Sequence, residues 1–483
     1  MLLSNIARFE SDEAVTGIMA QRILHGDFPI YFGEQSYQGA LEQYLQAPIL
    51  AILPDTPLSL RLVQLALSVV ICVLVYVVAT RVVGSRWAGA LAATLYAIGP
   101  YYGVIKSIRS HGGYDGAVIF GLLVILLALK LRRDGARSRW VVAALGLCAG
   151  LAIWENYLSV YLIIPGALWA LGSARGSLKR LLPWAAGGFV MGILPIIMHR
   201  LARGINPPSG TGTLPPTGLW ERMDLLLSPV IGQFLGVRSG GPEVTKWVPP
   251  ALITMLALAA LGAALWTRRM GIWDTLTLRT ARRRPIDIVL IAFAIAPFIY
   301  GASTYTWYAS EPRYLYTLYP LLAVALAAGV FALKGRARIA LAAVLIAMSA
   351  LLLARTMQIV HRSGGEISLA DGGRIYTEDL PQVADALKAQ GITRAYSDVW
   401  VAYPLQFAGG SALAVSPYTN SVFPALDAQV ARDPHPAIVS TIGAGADAMR
   451  QQLKQSGRRF QEETVGRFII FSQVTPVRRP PTP

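Results

Sequence analysis

The chain has 483 residues, 54% of them hydrophobic and only 14% charged, with a formal charge of +16. Soluble domains carry about a quarter charged residues, so this composition excludes an ordinary soluble protein and reads as an integral membrane protein. The positive charge does not point to nucleic acid, because the basic residues fall in short blocks between apolar runs instead of on one folded face.

The chain opens with Arg8-Phe9-Glu10-Ser11-Asp12-Glu13-Ala14, which places three carboxylates ahead of its first membrane-length segment. Between Ser11 and Leu24, Val15, Ile18, Met19 and Arg22 recur at helical spacing and predict a short amphipathic helix lying in the membrane interface. Ser11 suits its N-cap. Asp12 and Glu13 suit its first turn, where acids meet the helix dipole for about a few tenths of a kcal/mol, so spacing alone leaves them ordinary first-turn acids. Residues His25 to Pro48, aromatic and Gly-rich, read as a second interfacial element.

Ten apolar windows follow, at about 59–80, 87–105, 115–130, 139–155, 157–173, 182–200, 247–267, 286–303, 316–334 and 339–357. The fourth and fifth are separated only by Trp154-Glu155-Asn156-Tyr157, and form either a tight hairpin or one long broken element. Loops 81–86, 130–139, 173–180, 268–284 and 334–338 hold nineteen Lys and Arg against two acids, Asp134 and Asp274. Basic residues in short loops resist translocation, so these loops are expected to be cytoplasmic. The opposite segments, 1–58, 106–115, 154–157, 200–246 and 304–315, hold ten Lys and Arg against thirteen acids and are expected to face out. An external first segment with no span before it predicts a missing native first helix, through a late start codon or trimming.

The two cysteines, Cys72 and Cys148, lie inside apolar spans, which argues for buried thiols and against a disulfide framework. Past residue 357 the composition changes to eleven acids and twelve basic residues with no membrane-length run. Leu380 to Gln390 has helical spacing with Gly391 as a C-cap, Ala446 to Gln455 reads as another helix, and 392–396, 412–416 and 467–474 read as strands. The expected fold is thus an all-α polytopic membrane domain of about ten helices with a small C-terminal extracytoplasmic α/β domain. Its expected divisions are a first loop over 1–58, a membrane domain over 59–357, a soluble domain over 358–474 and a disordered tail over 475–483.

Asp12-Glu13 followed by the aromatic segment 25–48, and Arg313-Tyr314 before a late helix in Arg313-Tyr314-Leu315-Tyr316-Thr317-Leu318-Tyr319-Pro320, carry a family resemblance. More weakly, so does Arg109 to Tyr114. The chain resembles the polyprenyl-phosphate-sugar-dependent membrane glycosyltransferases of the C superfamily, the protein O-mannosyltransferase-like group in particular. That resemblance implies a multi-pass enzyme of the plasma or inner membrane, with an extracytoplasmic site that moves a sugar from a polyprenyl phosphate with inversion. Its partners would be the lipid-linked sugar, the bilayer and an acceptor that is protein, lipid or polysaccharide. Asp12, as the first motif acid, would take the proton of the acceptor hydroxyl, with Glu13 orienting the acceptor or supporting Asp12.

A departing phosphate calls for cations in a poorly hydrated site. Arg313 with Tyr314 matches the family motif; by position alone Arg313 could equally be a solvated cap. Lys106 and Arg109 sit in a tight external loop and fit a phosphate or ordinary headgroup pairing equally well. His111 is either a proton shuttle or an ordinary loop histidine. Glu155 and Tyr37 are possible acceptor or sugar contacts, although the Trp and Tyr beside Glu155 also suit a membrane-interface belt. Glu10 reads as solvated. The Pro-, Gly- and Thr-rich segment 204–246 reads as a long structureless loop covering the site. No ligand spacing indicates a metal or other cofactor, and a divalent metal stays open only through external acids brought together from distant loops. A lipid or solute transporter is the rival reading, although no internal helix repeat is found. A scaffold displaying the terminal domain is a third reading, which leaves the carboxylate-rich first loop unexplained.

Overall fold

The computed structural model describes residues 8–35, 37–133, 138–203, 218–238, 244–245, 248–303, 312–362, 377–419 and 421–474. The helix expected ahead of the chain, the tail expected to be disordered and, within the expected cover, residues 204–217, 239–243 and 246 lie outside the described residues.

The first loop folds into α1 (Ser11–Leu24) and α2 (Leu41–Leu50). The bundle follows as α3 (Pro57–Val83), α4 (Arg86–Ala97), α5 (Tyr101–Lys106), α6 (Tyr114–Arg133), α7 (Arg139–Glu155), α8 (Val160–Ala174), α9 (Leu178–Gly192) and α10 (Leu194–Arg203). After it come α11 (Leu219–Leu225), α12 (Ile231–Phe234), α13 (Pro250–Leu276), α14 (Ile286–Ala302), α15 (Tyr319–Ala332) and α16 (Gly335–Arg362). Among the described residues, six helical runs are long and apolar enough to cross a membrane: Pro57–Val83, Tyr114–Arg132, Tyr157–Gly192, Pro250–Leu276, Arg313–Ala332 and Gly335–Arg362. The remaining expected spans are shorter or interrupted. The 87–105 window breaks at Ile98-Gly99-Pro100, and α7 and α14 are 17 residues each.

Local chemistry sets these boundaries. Thr56 caps α3 by accepting the Ser59 N–H, Pro57 occupies its first turn, and Gly84 ends it at φ +80. At the junction of the fourth and fifth windows, Asn156 is extended and its side chain accepts from Leu158 N–H, so the chain breaks there and restarts. Helices α7 and α9 meet through glycines: a Cβ on Gly146 would lie 2.1 Å from the Ala185 carbonyl, and one on Gly188 2.1 Å from the Ala143 carbonyl. Small residues let apolar helices approach closely where lipid supplies no hydrophobic drive between them.

Three expectations change. Helix α1 is buried almost throughout, from Glu13 to Ala20, because it is enclosed by α2, α3 and the C-terminal α18 (Val399–Gly409) instead of floating on the interface. Ser11 does not cap it; Glu10 holds the N-cap position and the Ser11 hydroxyl donates to the Val399 carbonyl. Residues 218–238, expected to be structureless, are largely helical and pack on α14, where Arg222 Nε donates to the Gly301 carbonyl at 2.9 Å.

The C-terminal region holds α17 (Leu380–Ala389), β1 (Arg394–Ser397), α18 (Val399–Gly409), β2 (Ala414–Pro417), α19 (Pro424–Ala431), β3 (Ala437–Thr441), α20 (Ala444–Gln455), β4 (Gln461–Val465) and β5 (Phe468–Ser472). Strand order is β2-β1-β3-β5-β4, parallel among the first three and antiparallel at β5 and β4. Gly391 follows α17 at φ +71, as its spacing predicts. The outer strand β4 is exposed and carries Glu462 and Glu463, which discourages edge pairing with another chain. β3, β4, α18 and α19 escape sequence reading because each is too short to show a clear period.

Candidate functional site

Helix α1 starts at Ser11, so Asp12 stands in its first turn, half-buried. The chain then turns through Phe32–Glu34 to Tyr37 and Gln38. This first loop is held to the α7–α8 junction: Gly39 N–H donates to the Glu155 carbonyl at 2.9 Å, and Trp154 Nε1 donates to the Ile30 carbonyl at 3.0 Å. From the far side of the sequence, Arg313–Leu318 forms a tight 3-10 turn before α15. Its Tyr316 hydroxyl donates to Asp115 at 2.6 Å, and Gln64 Nε2 donates to the other oxygen of Asp115 at 2.6 Å. That buried network ties α3, α6 and the 313–318 turn together.

These segments enclose a cavity of about 440 Å³. Asp12, Tyr37, Lys106, His111, Arg313 and Tyr314, six of the residues singled out from sequence, line it. Phe32, Gln38, Tyr114 and Tyr157 line it too, without having been selected as site residues.

Glu10, expected to be solvated, is instead packed behind the cavity. Its Oε1 lies 2.8 Å from His111 Nε2 and 3.5 Å from Arg109 Nη1. Burial pushes the Glu10 carboxyl up, but the Arg109 guanidinium, the His111 hydrogen bond and Lys106 outweigh it and hold the group well below the usual range. His111 Nδ1 faces the Arg109 carbonyl at 2.8 Å. The imidazole is thus held at both ring nitrogens, by the Arg109 carbonyl and the Glu10 carboxylate. The cavity wall carries Lys106, His111 and Arg313 together with the carboxylate of Asp12. Tyr37 donates to Gln35 Oε1 at 2.5 Å. Burial, followed by Tyr114 and Asp12, pushes the Tyr37 phenol up, while Arg313 opposes the shift.

Three selected residues stand outside this cavity. Glu13 is fully buried and paired with Arg61 of α3, Nε to Oε1 at 2.7 Å and Nη2 to Oε2 at 2.8 Å. Arg109 is buried behind Glu10. Glu155 accepts from Leu41 N–H at 3.3 Å and is packed so tightly that a Cβ on Gly116 would meet its Oε2 at 2.2 Å. With Glu42 it borders a separate, mostly apolar cavity of about 160 Å³. Ser110 donates to Glu42, yet burial, together with Asp115, Glu155 and Glu13, pushes the Glu42 carboxyl well above its usual range. Among the described residues, no three His, Cys, Asp or Glu side chains converge as a metal site.

Residues 39–199 match the family model described as dolichyl-phosphate-mannose-protein mannosyltransferase. The match contains the Lys106–Asp115 loop and Glu155; Asp12, Glu13, Arg313 and Tyr314 lie outside it. Among solved structures, the chain is similar to ArnT from Cupriavidus metallidurans bound to undecaprenyl phosphate, with a TM-score of 0.60, 13% identity, and coverage of 95% of this chain and 93% of that one. It is similar to the same protein in the apo state, with a TM-score of 0.59, 12% identity and the same coverage. No curated protein matches it by sequence. The family match over residues 39–199 and the fold shared with ArnT bear out the resemblance to lipid-phosphate-sugar glycosyltransferases read from the sequence.

Proposed function

We propose that the protein transfers a sugar from a polyprenyl phosphate to an acceptor hydroxyl on the extracytoplasmic side of the plasma or inner membrane. The observation that carries this reading is the meeting of Asp12, Lys106, His111, Arg313 and Tyr314 in one cavity. The similarity to an ArnT structure bound to undecaprenyl phosphate supports a lipid-phosphate donor. Asp12 takes the proton of the acceptor hydroxyl while that oxygen bonds to the anomeric carbon. The bond from that carbon to the phosphate oxygen breaks, and the polyprenyl phosphate leaves with the electron pair. Direct displacement inverts the carbon. Lys106 and Arg313, with His111 beside them, receive the charge that gathers on the phosphate. Tyr314 contributes a hydroxyl to that group, and Tyr37 reaches the sugar.

Most of the cavity residues, Asp12, Lys106, His111, Tyr157 and Arg313 among them, come from segments that the charge pattern assigns to the outside, and the others, such as Leu158 and Ser303, lie at the ends of the adjoining apolar runs, which supports that orientation. The basic loops gather elsewhere: Arg132 Nη1 donates to the Arg283 carbonyl at 3.3 Å, and Arg283 Nη2 to the Trp169 carbonyl at 2.9 Å. On this reading residues 1–58 and 358–474 share the outer side, with the membrane domain 59–357 between them and the tail 475–483 trailing.

Native mass spectrometry of the gently purified protein and of Arg313→Ala tests the proposal. A co-purified polyprenyl phosphate, or its glycosylated form, present in wild type and lost in the variant is the expected result. Bulk phospholipid alone in both samples would overturn the donor assignment.

A further inference from the structure

The two neighbours of Asp12 are anchored to different parts of the molecule. On one side, Glu13 is locked into the buried pair with Arg61 of α3, and its carbonyl accepts from Thr16 Oγ1 at 2.8 Å. On the other, the Ser11 hydroxyl donates to the carbonyl of Val399, the first residue of α18 in the C-terminal α/β unit. Further along the same helices the contact is closer still. A Cβ on Gly17 would lie 2.4 Å from Phe407 Cε2 and 3.0 Å from Leu60 Cδ1, so a glycine is what lets α18 lie against α1. The Phe9 and Phe407 rings stand 5.4 Å apart, and Gln21 Nε2 reaches the Phe407 carbonyl at 3.4 Å. The same apolar cluster takes in Tyr403 of α18 and Phe423, whose ring lies under the Arg22 guanidinium.

We propose that the C-terminal α/β unit is a working part of the active site: through α18 it sets the position of Asp12, with Ser11, Gly17 and Phe407 as positioning residues. The inference rests on the reading of Asp12 as general base. A reacting group must be held within about 0.5 Å of its productive geometry, and a displacement of about 1 Å is worth roughly a hundredfold in rate. A helix whose first turn is tied to α3 and α18 meets that demand; tied to α3 alone, it can pivot about the Glu13–Arg61 pair. Sugar transfer is then expected to depend on residues that never touch substrate.

The test uses the full-length protein in lipid nanodiscs, with three variants: Phe407→Ala, Gly17→Ala, and Gly17→Ala combined with Phe407→Leu. Both single variants are expected to lower kcat about tenfold or more while KM for the lipid-linked donor stays within about twofold. The double variant, in which the smaller side chain makes room for the new methyl, is expected to recover most of that loss. Hydrogen–deuterium exchange in Phe407→Ala is expected to rise over residues 10–20 and to stay unchanged in α6 to α9. Wild-type kcat in Phe407→Ala, or a rise in exchange spread over the whole bundle, would overturn the proposal. A wild-type protein that transfers no sugar would count against the proposed function instead. The exchange result would then decide the positional claim alone: a rise confined to residues 10–20 upholds it and no rise overturns it.

Discussion

Glu10 and His111, 101 residues apart in sequence, share a hydrogen bond of 2.8 Å, and that bond ties the start of α1 to the loop that carries Lys106 and Arg109. The other ring nitrogen faces the Arg109 carbonyl, so the imidazole is fixed from both sides. Glu10 has a stability signature. Its folded-state pKa is depressed, so its contribution is fully present above the unfolded value of about 4.3 and is lost as pH falls through the folded value. Glu10→Gln is expected to melt at a lower temperature than wild type at pH 7. The gap should close as pH falls below about 4, which thermal scans across pH 3 to 7 will check.

Glu42 behaves in the opposite sense. Its folded pKa is raised, chiefly by burial, so the folded state holds a proton that the unfolded chain gives up, and stability declines as pH rises above about 4.3 until the folded value is passed. Glu42→Gln keeps the shape and the link to Ser110 without the ionisation. Its melting temperature is expected to fall less than that of wild type between pH 6 and pH 9. Parallel slopes for the two proteins would refute it.

Asp12→Asn is expected to reduce transfer by about a hundredfold to ten-thousandfold, the usual contribution of a positioned general base. Donor affinity should hold within about twofold, because the phosphate-facing cations are untouched. Radiolabelled sugar transfer and donor titration measure the two separately, and full activity in the variant would remove Asp12 as the base.

The Glu13–Arg61 pair is a structural tie whose halves depend on each other. Glu13→Ala strands a guanidinium in a buried site and is expected to destabilise the fold by about 3–5 kcal/mol. Replacing both partners, as Glu13→Leu with Arg61→Met, removes the stranded charge and should recover most of the loss. Denaturation of both variants and the Arg61→Met single completes the cycle.

Much of this was legible before any coordinates. Asp12 and Arg313 were picked out through motifs that resemble the family's; by position alone one reads as an ordinary first-turn acid and the other as a solvated cap. Glu10 was not legible. It sits beside two other acids, and nothing in Arg8 to Ala14 tells which of the three is paired with a histidine in a distant loop. Glu13 and Glu155 were read as site residues for the same reason in reverse: an acid at a membrane face looks alike whether it meets substrate, an arginine on the next helix or a backbone N–H.

By itself, the sequence determined the membrane class, the alternation of basic and acidic loops, the helical character of the apolar runs and the α/β nature of the terminal region. Those properties follow from composition, period and charge summed over many residues, where single errors average out. Only the tertiary structure decided that Asp12 and Arg313 line one cavity, that Glu10 bonds to His111, and that α18 lies against Gly17. These are contacts between residues far apart in the chain, set by packing distances of a few ångströms that no local pattern encodes.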